Sequence, residues 1–485
     1  MREEDNMPPL NFSIILPLLM LTIWACVLLL VDLFIKPKWI TALLAALGLA
    51  NSLGWTILQI GSSGTGFNNM VVLDGFSIFV DALLLVTGLF GVAVTHGYIK
   101  RMGIERGEYY TLLLFSVAGM MLMAQAADLI IVFLALEMLS IPLYVLAAFA
   151  RPNTDSEEAG MKYFLLGAFS TGFVVYGIAL VFGATATTSL SAIITAASSG
   201  TANVLLLTIG SALILVGLSF KVAAVPFHMW TPDVYQGAPS SVTAFMAAGA
   251  KIAGFAALLR VFALAFPSLA GNMAPIIAVL SALTMIVGNV IAIAQTNIKR
   301  LLAYSSIAHA GYILMAFVPY GQSKVVSTSV AAGLFYLVSY MLTNFGTWAV
   351  VIALEKAEGK GLEISDYAGL GRKYPALAAA MTVFMFSLTG IPPTLGFVGK
   401  FYLFSAAIAG QYYLLAVIGV LTSLISAYYY LRVVVMMYMR EGDPETADEP
   451  WLNFTWGLTA LLTVIVSLVP QFLFAWASAA VLKLF

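Results

Sequence analysis

The sequence predicts an all-α, polytopic membrane protein of about 14 transmembrane helices, and three observations carry that expectation. Of its 485 residues, 61% are hydrophobic and 9% are charged. A soluble chain of this length needs far more charge to cover its surface. The mean hydropathy is +0.99. The apolar residues also recur in runs of about 20, the length a helix needs to cross hydrocarbon.

Segmenting the chain at its polar punctuation places spans near 14–34, 40–61, 76–97, 109–125, 129–150, 161–184, 204–227, 239–263, 275–295, 301–319, 328–354, 375–404, 412–439 and 451–481. The start, MREEDNMPPL, is acidic where a signal peptide is basic, so the run from Ile14 to Phe34 reads as a retained first span. One set of loops carries most of the cations, among them Lys36, Lys38, Lys100, Arg101, Arg151, Lys299, Arg300, Lys356 and Arg440. The other set holds only Arg2, Lys324 and Lys483. By the positive-inside rule the first set faces the cytoplasm and both termini face outward.

Two spans do not read as plain helices. The seventh contains SFKVAAVPFHMWTPD and the twelfth SLTGIPPTLGFVGKF, where Pro226, Gly390, Pro392 and Pro393 should break the helix at membrane depth. Such breaks are tolerated only where the freed backbone groups face protein or water. If spans 4–8 and 9–13 are two five-helix units, each broken segment is the fourth helix of its unit. Five being odd, the units run in opposite directions, the inverted-repeat plan of transporters. The expected organisation is a three-helix region over 1–108, five-helix units over 109–263 and 275–440, and a C-terminal helix over 451–485.

Ionisable residues inside apolar runs are costly and mark function by default. Glu137 lies nine residues past Asp128, roughly 13 Å from one end of its helix at 1.5 Å per residue. A permanently paired structural glutamate is the plain alternative. Lys221 precedes Pro226, so carbonyls freed by the break could hold its ammonium, and a nearby carboxylate would make a two-state pair with it. Lys251 sits among small residues that allow close packing and leave room for water. Lys400 follows the second break, and its plain reading is a cap on helix carbonyls. Such residues suit proton uptake and release.

Lesser candidates are Lys162, which is as well read as a snorkelling lysine; His309, roughly 15 Å deep and able to pass protons between units; and His228, which could link Lys221 to Lys251 or cap a helix end. Arg432 reads as snorkelling to the cytoplasmic interface, and Asp74 and Asp81 as interfacial. The net charge of −1 gives no basic footprint for nucleic acid. With Cys26 the only cysteine, disulfides within the chain, iron–sulfur ligation and thiolate metal sites are excluded.

The strings SFKVAAVPFHMWTPDVYQGAPSSVTAFMAAGAKIAGF, TNIKRLLAYSSIAHAGY and SLTGIPPTLGFVGKFYLF resemble the antiporter-like membrane subunits of respiratory complex I (NADH:quinone oxidoreductase). More narrowly they are similar to its bacterial subunit N branch, the counterpart of mitochondrial subunit 2. The resemblance spans about residues 10 to 480. It implies a proton path through a helix-five glutamate and lysines of helices seven, eight and twelve, which fall on Glu137, Lys221, Lys251 and Lys400. A sister branch has glutamate where this chain has Lys400, and another is longer with a lateral helix, so length and Lys400 favour subunit N. The resemblance further implies a non-redox subunit of a translocase in the bacterial cytoplasmic (inner) membrane. Flavin, iron–sulfur clusters and quinone would belong to other subunits, and no cofactor to this chain. Its partners would be the other membrane subunits, including sister antiporter-like subunits, and the lipid bilayer. The rival functions are a subunit of a sodium/proton antiporter complex, a stand-alone solute transporter, and a membrane scaffold, for which the buried charges would be an unexplained cost.

Overall fold

The computed structural model describes residues 11–357 and 359–481. Arg2, Lys483 and the acidic start lie outside the described residues. The helices are α1 (Leu16–Asp32), α2 (Lys38–Leu58), α3 (Gly75–Arg101), α4 (Glu108–Gln125), α5 (Leu129–Ala147), α6 (Thr154–Thr185), α7 (Leu190–Ser198), α8 (Val204–Val222), α9 (Trp230–Gly237), α10 (Ser240–Arg260), α11 (Ala270–Ile293), α12 (Ile298–Phe317), α13 (Val326–Leu354), α14 (Leu370–Lys373), α15 (Pro375–Thr389), α16 (Leu395–Ala409), α17 (Tyr413–Met439), α18 (Pro450–Leu468) and α19 (Pro470–Ala479). A small antiparallel hairpin, β1 (Gly64–Gly66) with β2 (Val71–Leu73), joins α2 to α3. Apolar runs do not announce that hairpin, nor the short helix α7.

Each expected span falls on a helix or on two consecutive helices. Among the described residues ten helices are long and apolar enough to cross a membrane by length and composition. The other expected spans fall on α1, α4, α12 and the pair α15 and α16, which are shorter or less apolar. Their chemistry explains why: α12 carries Ser305, Ser306 and His309, and the twelfth span is cut in two.

Burial sorts the helices into an inner and an outer set. Every residue of α10 is buried, and nearly every residue of α13, so neither touches lipid in this chain. In contrast α6, α11 and α17 bury only one face. Close approach needs small residues: a Cβ at Gly119 of α4 would stand 2.4 Å from the Leu139 amide of α5.

Both breaks are closed by local hydrogen bonds. At the first, Ala223 is left-handed (φ 63°) and the Phe220 carbonyl accepts from the Ala223 amide and, at 3.0 Å, from the Trp230 indole. The Val225 amide donates to Thr284 Oγ1 across to α11 at 2.9 Å. At the second, Gly390 takes φ 89°, a conformation that disfavours any side chain.

The segment after α17 is an acidic strap on a basic surface. Lys373 meets Asp443 and Lys356 meets Glu445, both at 2.5 Å, Arg372 meets Glu441 at 3.4 Å, and Arg101 pairs with Glu449. Arg432, part-exposed, caps the end of α11 by donating to the Ile293 and Gln295 carbonyls.

Candidate functional site

Glu137 and Ser140 lie three residues apart on one face of α5. Glu137 is half-buried and accepts a hydrogen bond from Thr171 Oγ1 of α6 at 2.7 Å. Ser140 Oγ accepts from Lys221 Nζ of α8 at 2.8 Å, while Tyr163 OH of α6 stands 3.2 Å from the same ammonium. Among the described residues no ion pair joins Glu137 to Lys221. The expected contact is open in this conformation, with Lys221 bonded to Ser140 one turn along α5 from Glu137. The freed carbonyls at the first break do not hold Lys221 either, because Phe220 is already satisfied by Trp230 and Ala223. Trp230 stacks on Tyr163 with centroids 4.6 Å apart, so the break positions the phenol that meets Lys221.

Gly254 of α10 packs on this end of α8, where a Cβ would crowd Val222 Cγ1 at 2.8 Å and touch the Lys221 stem at 3.5 Å. One turn away, Lys251 is 2% exposed, which rules out snorkelling. Its ammonium donates to the Ser306 carbonyl and, at 2.6 Å, to Ser306 Oγ on α12, and lies 5.2 Å from the centre of the Tyr340 ring. Tyr340 OH donates to Ser306 Oγ at 2.9 Å.

Helix α12 then carries the line onward. Ser306, His309 and Tyr312 recur every three residues and share one face. His309 Nδ1 is 2.6 Å from Tyr336 OH and Nε2 is 3.1 Å from Tyr430 OH, which also bonds Ser305. The Tyr312 ring lies 4.5 Å below Lys400 Nζ. Lys400 donates to the Leu388 and Thr389 carbonyls of the second break, both at 2.9 Å, and to Ser423 Oγ at 2.7 Å. Capping and burial of a titratable group therefore coincide at Lys400, which is 3% exposed.

The remaining candidates lie off this line. Lys162 is part-exposed and bridges Glu158 and Asp233, each at 2.7 Å, and Asp233 also meets Arg300 at 2.9 Å. That cluster ties α6 and α9 to α12. His228 is half-buried beside the exposed Pro226 and Met229, and makes no hydrogen bond to Lys221 or Lys251. Asp74 caps α3 and forms a two-pronged pair with Arg260, while Asp81 is buried against Gln125 at 2.7 Å. Asp81 thus lies inside the bundle, whereas Asp74 stands part-exposed at the start of α3. Among the described residues no three His, Cys, Asp or Glu side chains gather as a metal site.

Sequence reasoning passed over Thr171, Ser140, Tyr163, Ser306, Tyr340, Tyr336, Tyr430 and Ser423. One signal was available: Ser306, His309 and Tyr312 repeat at helical spacing inside an apolar run. The partners on other helices left no such trace.

Residues 126–426 match the family described as NADH:quinone oxidoreductase/Mrp antiporter, TM. The chain is 46% identical over 482 residues to NADH-quinone oxidoreductase subunit N of Trichlorobacter lovleyi, covering 97% of each chain. This chain belongs to the subunit N family. A chain of respiratory complex I from Thermus thermophilus superposes with TM-score 0.82 at 36% identity, covering 96% of this subunit N chain and 99% of that one. A chain of the Mrp complex from Dietzia sp. superposes with TM-score 0.85 at 19% identity over 97% of each, a likeness of fold.

Proposed function

We propose that this subunit N chain is a proton-translocating, non-redox subunit in the membrane arm of NADH:quinone oxidoreductase. The observation that carries the reading is the face of α12, on which Ser306 holds Lys251, His309 stands between two tyrosines, and the Tyr312 ring meets Lys400. Buried titratable groups joined by hydroxyls supply successive proton-binding states; a scaffold would gain nothing from them. Flavin, clusters and quinone lie on other subunits, and energy reaches this chain through its neighbours.

The open Glu137–Lys221 contact defines one end of the switch. Moving Lys221 from Ser140 toward Glu137 would close an ion pair and change how firmly the lysine holds its proton. Glu137 stands on a flank where Leu134 and Ile141 are 49% and 54% exposed. A carboxylate facing hydrocarbon is costly, so this flank is covered by another membrane subunit in the assembly.

The packing supports two inverted units over spans 4–8 and 9–13 within 14 spans. Helix α4 packs on α5 and α10 as α11 packs on α12 and α17, and α6 and α13 each contact both arms of a broken helix. Both termini then face outward and the basic surface under the strap faces the cytoplasm.

A sodium/proton antiporter subunit is the second reading, favoured by the likeness to the Mrp chain. Substitution Lys221→Ala tests the first. Ser140 still donates to the Leu136 carbonyl at 2.5 Å without the lysine, so the complex should assemble while NADH-driven acidification of sealed vesicles falls sharply. Undiminished pumping removes Lys221 from the path, and sodium-dependent exchange without NADH-driven pumping favours the antiporter.

A further inference from the structure

Away from the lysine line, α2, α3 and α18 enclose a groove of about 540 Å³ that opens sideways from the bundle. Its walls are apolar, with Leu43, Ala46, Leu89 and Leu458 along its length. One side chain breaks the pattern. His96 of α3 lines the groove, its Nδ1 is buried without a hydrogen-bond partner, and it lies five residues before the end of α3, roughly 7.5 Å inside it.

The same end of the groove is framed as a membrane interface. Trp39 and Trp451 line it and are 55% and 56% exposed, as indoles at headgroup level are. Lys36 lies three residues before Trp39 and Lys100 four after His96; both are exposed, and neither forms an ion pair among the described residues. Glu449, whose carboxylate packs against Gly97, is already paired with Arg101, and Asp32 with Lys38. With Asp448, which accepts from Asn453, this end sets Lys36, Lys38, Lys100 and Arg101 against Asp32, Asp448 and Glu449, four cations to three carboxylates.

We propose that this groove is a binding site for one anionic phospholipid of the bilayer, with an acyl chain laid between α2, α3 and α18 and its phosphodiester against His96 and Lys100. Hydrocarbon matches the walls at that depth. The His96 ring in the wall and two exposed lysines at the cytoplasmic end match a phosphate, the pattern by which basic pockets between helices select acidic lipids. An apolar helix of a neighbouring subunit would fill the walls but offer no negative group to Lys36 and Lys100.

The test uses the assembled complex in liposomes with phosphatidylglycerol or phosphatidylcholine carrying a diazirine on one acyl tail. Segments 39–46 and 451–458 should be labelled by the glycerol lipid with a preference of about fivefold, since one lysine contact at about 1 kcal/mol supplies that much selectivity. His96→Gln with Lys100→Gln should bring the two lipids level while leaving the apolar part of the walls intact. Ala46→Phe should lower labelling to that of the lipid-facing stretch 414–424 of α17. Equal labelling of wild type by both lipids would reduce the groove to ordinary hydrocarbon contact and overturn the proposal. Labelling below that of α17 would show a protein partner seated there and overturn it equally.

Discussion

Lys400 separates a relay site from a helix cap, because its three hydrogen bonds can be removed selectively. Of the carbonyls it meets, Thr389 also accepts from Ser423 Oγ at 2.9 Å, so only Leu388 depends on the lysine. Lys400→Leu therefore leaves one buried carbonyl unsatisfied, about 1–3 kcal/mol, partly offset by the new apolar contacts, and the complex should still assemble. Lys400→Gln keeps an amide donor for Leu388 while removing the titratable group. Lys400→Glu keeps a titratable group, but only its neutral form can donate to a carbonyl. As a relay site, Lys400 predicts wild type above Glu, with Gln and Leu both reduced about tenfold, a barrier change of about 1.4 kcal/mol. As a cap, it predicts Gln equal to wild type and only Leu impaired. The assay is NADH-driven acidification in inverted vesicles, normalised to assembled complex. Wild-type pumping by Lys400→Gln would refute the relay role and send the search for the exit elsewhere.

Two further outcomes follow from the first unit and its cytoplasmic cluster. Glu137→Gln keeps a group able to bond Thr171 but removes the charge, so coupled quinone-reductase activity should be lost while Glu137→Asp is milder; a wild-type Gln variant would end the ion-pair switch. Burial pushes the Asp233 carboxyl up, but hydrogen bonds from Lys162 and Arg300 outweigh it and hold it below the ordinary aspartate value. The bridge's contribution is then complete above that ordinary value and lost only as pH falls through the lower one, a small effect at a part-exposed site. Hydrogen exchange of residues 230–237 should rise in that acid window, and in Asp233→Asn it should exceed wild type above the window and match it below; a rise in wild type already above the ordinary aspartate range would contradict this.

Much of the architecture is legible in the chain because hydrocarbon imposes a length and a composition. Every expected span lies on a helix, and Pro226 and Pro393 mark the two breaks since proline cannot donate. The hairpin Gly64–Leu73 was not legible: its three-residue strands carry no periodicity. Of the site, Glu137, Lys221, Lys251, Lys400 and His309 stood out because charge or imidazole at membrane depth is rare. Lys162 and His228 stood out for the same reason, yet the fold turns one into a surface bridge and leaves the other beside the exposed Met229.

What the sequence alone determined is that Lys221, Lys251, Lys400 and His309 lie inside apolar runs, and that the helices bearing Lys221 and Lys400 must be interrupted. Only the tertiary structure decided their partners. Lys221 meets Ser140 and Tyr163 instead of Glu137, and Lys400 takes the carbonyls of its break while Lys221 leaves those of its own to Trp230. The physical reason is that a hydrogen bond depends on a few tenths of an ångström between side chains 81 or 58 residues apart in the chain. Helical periodicity sets which face a residue occupies, but how two helices cross, and so which hydroxyl meets which ammonium, depends on the packing of the whole bundle.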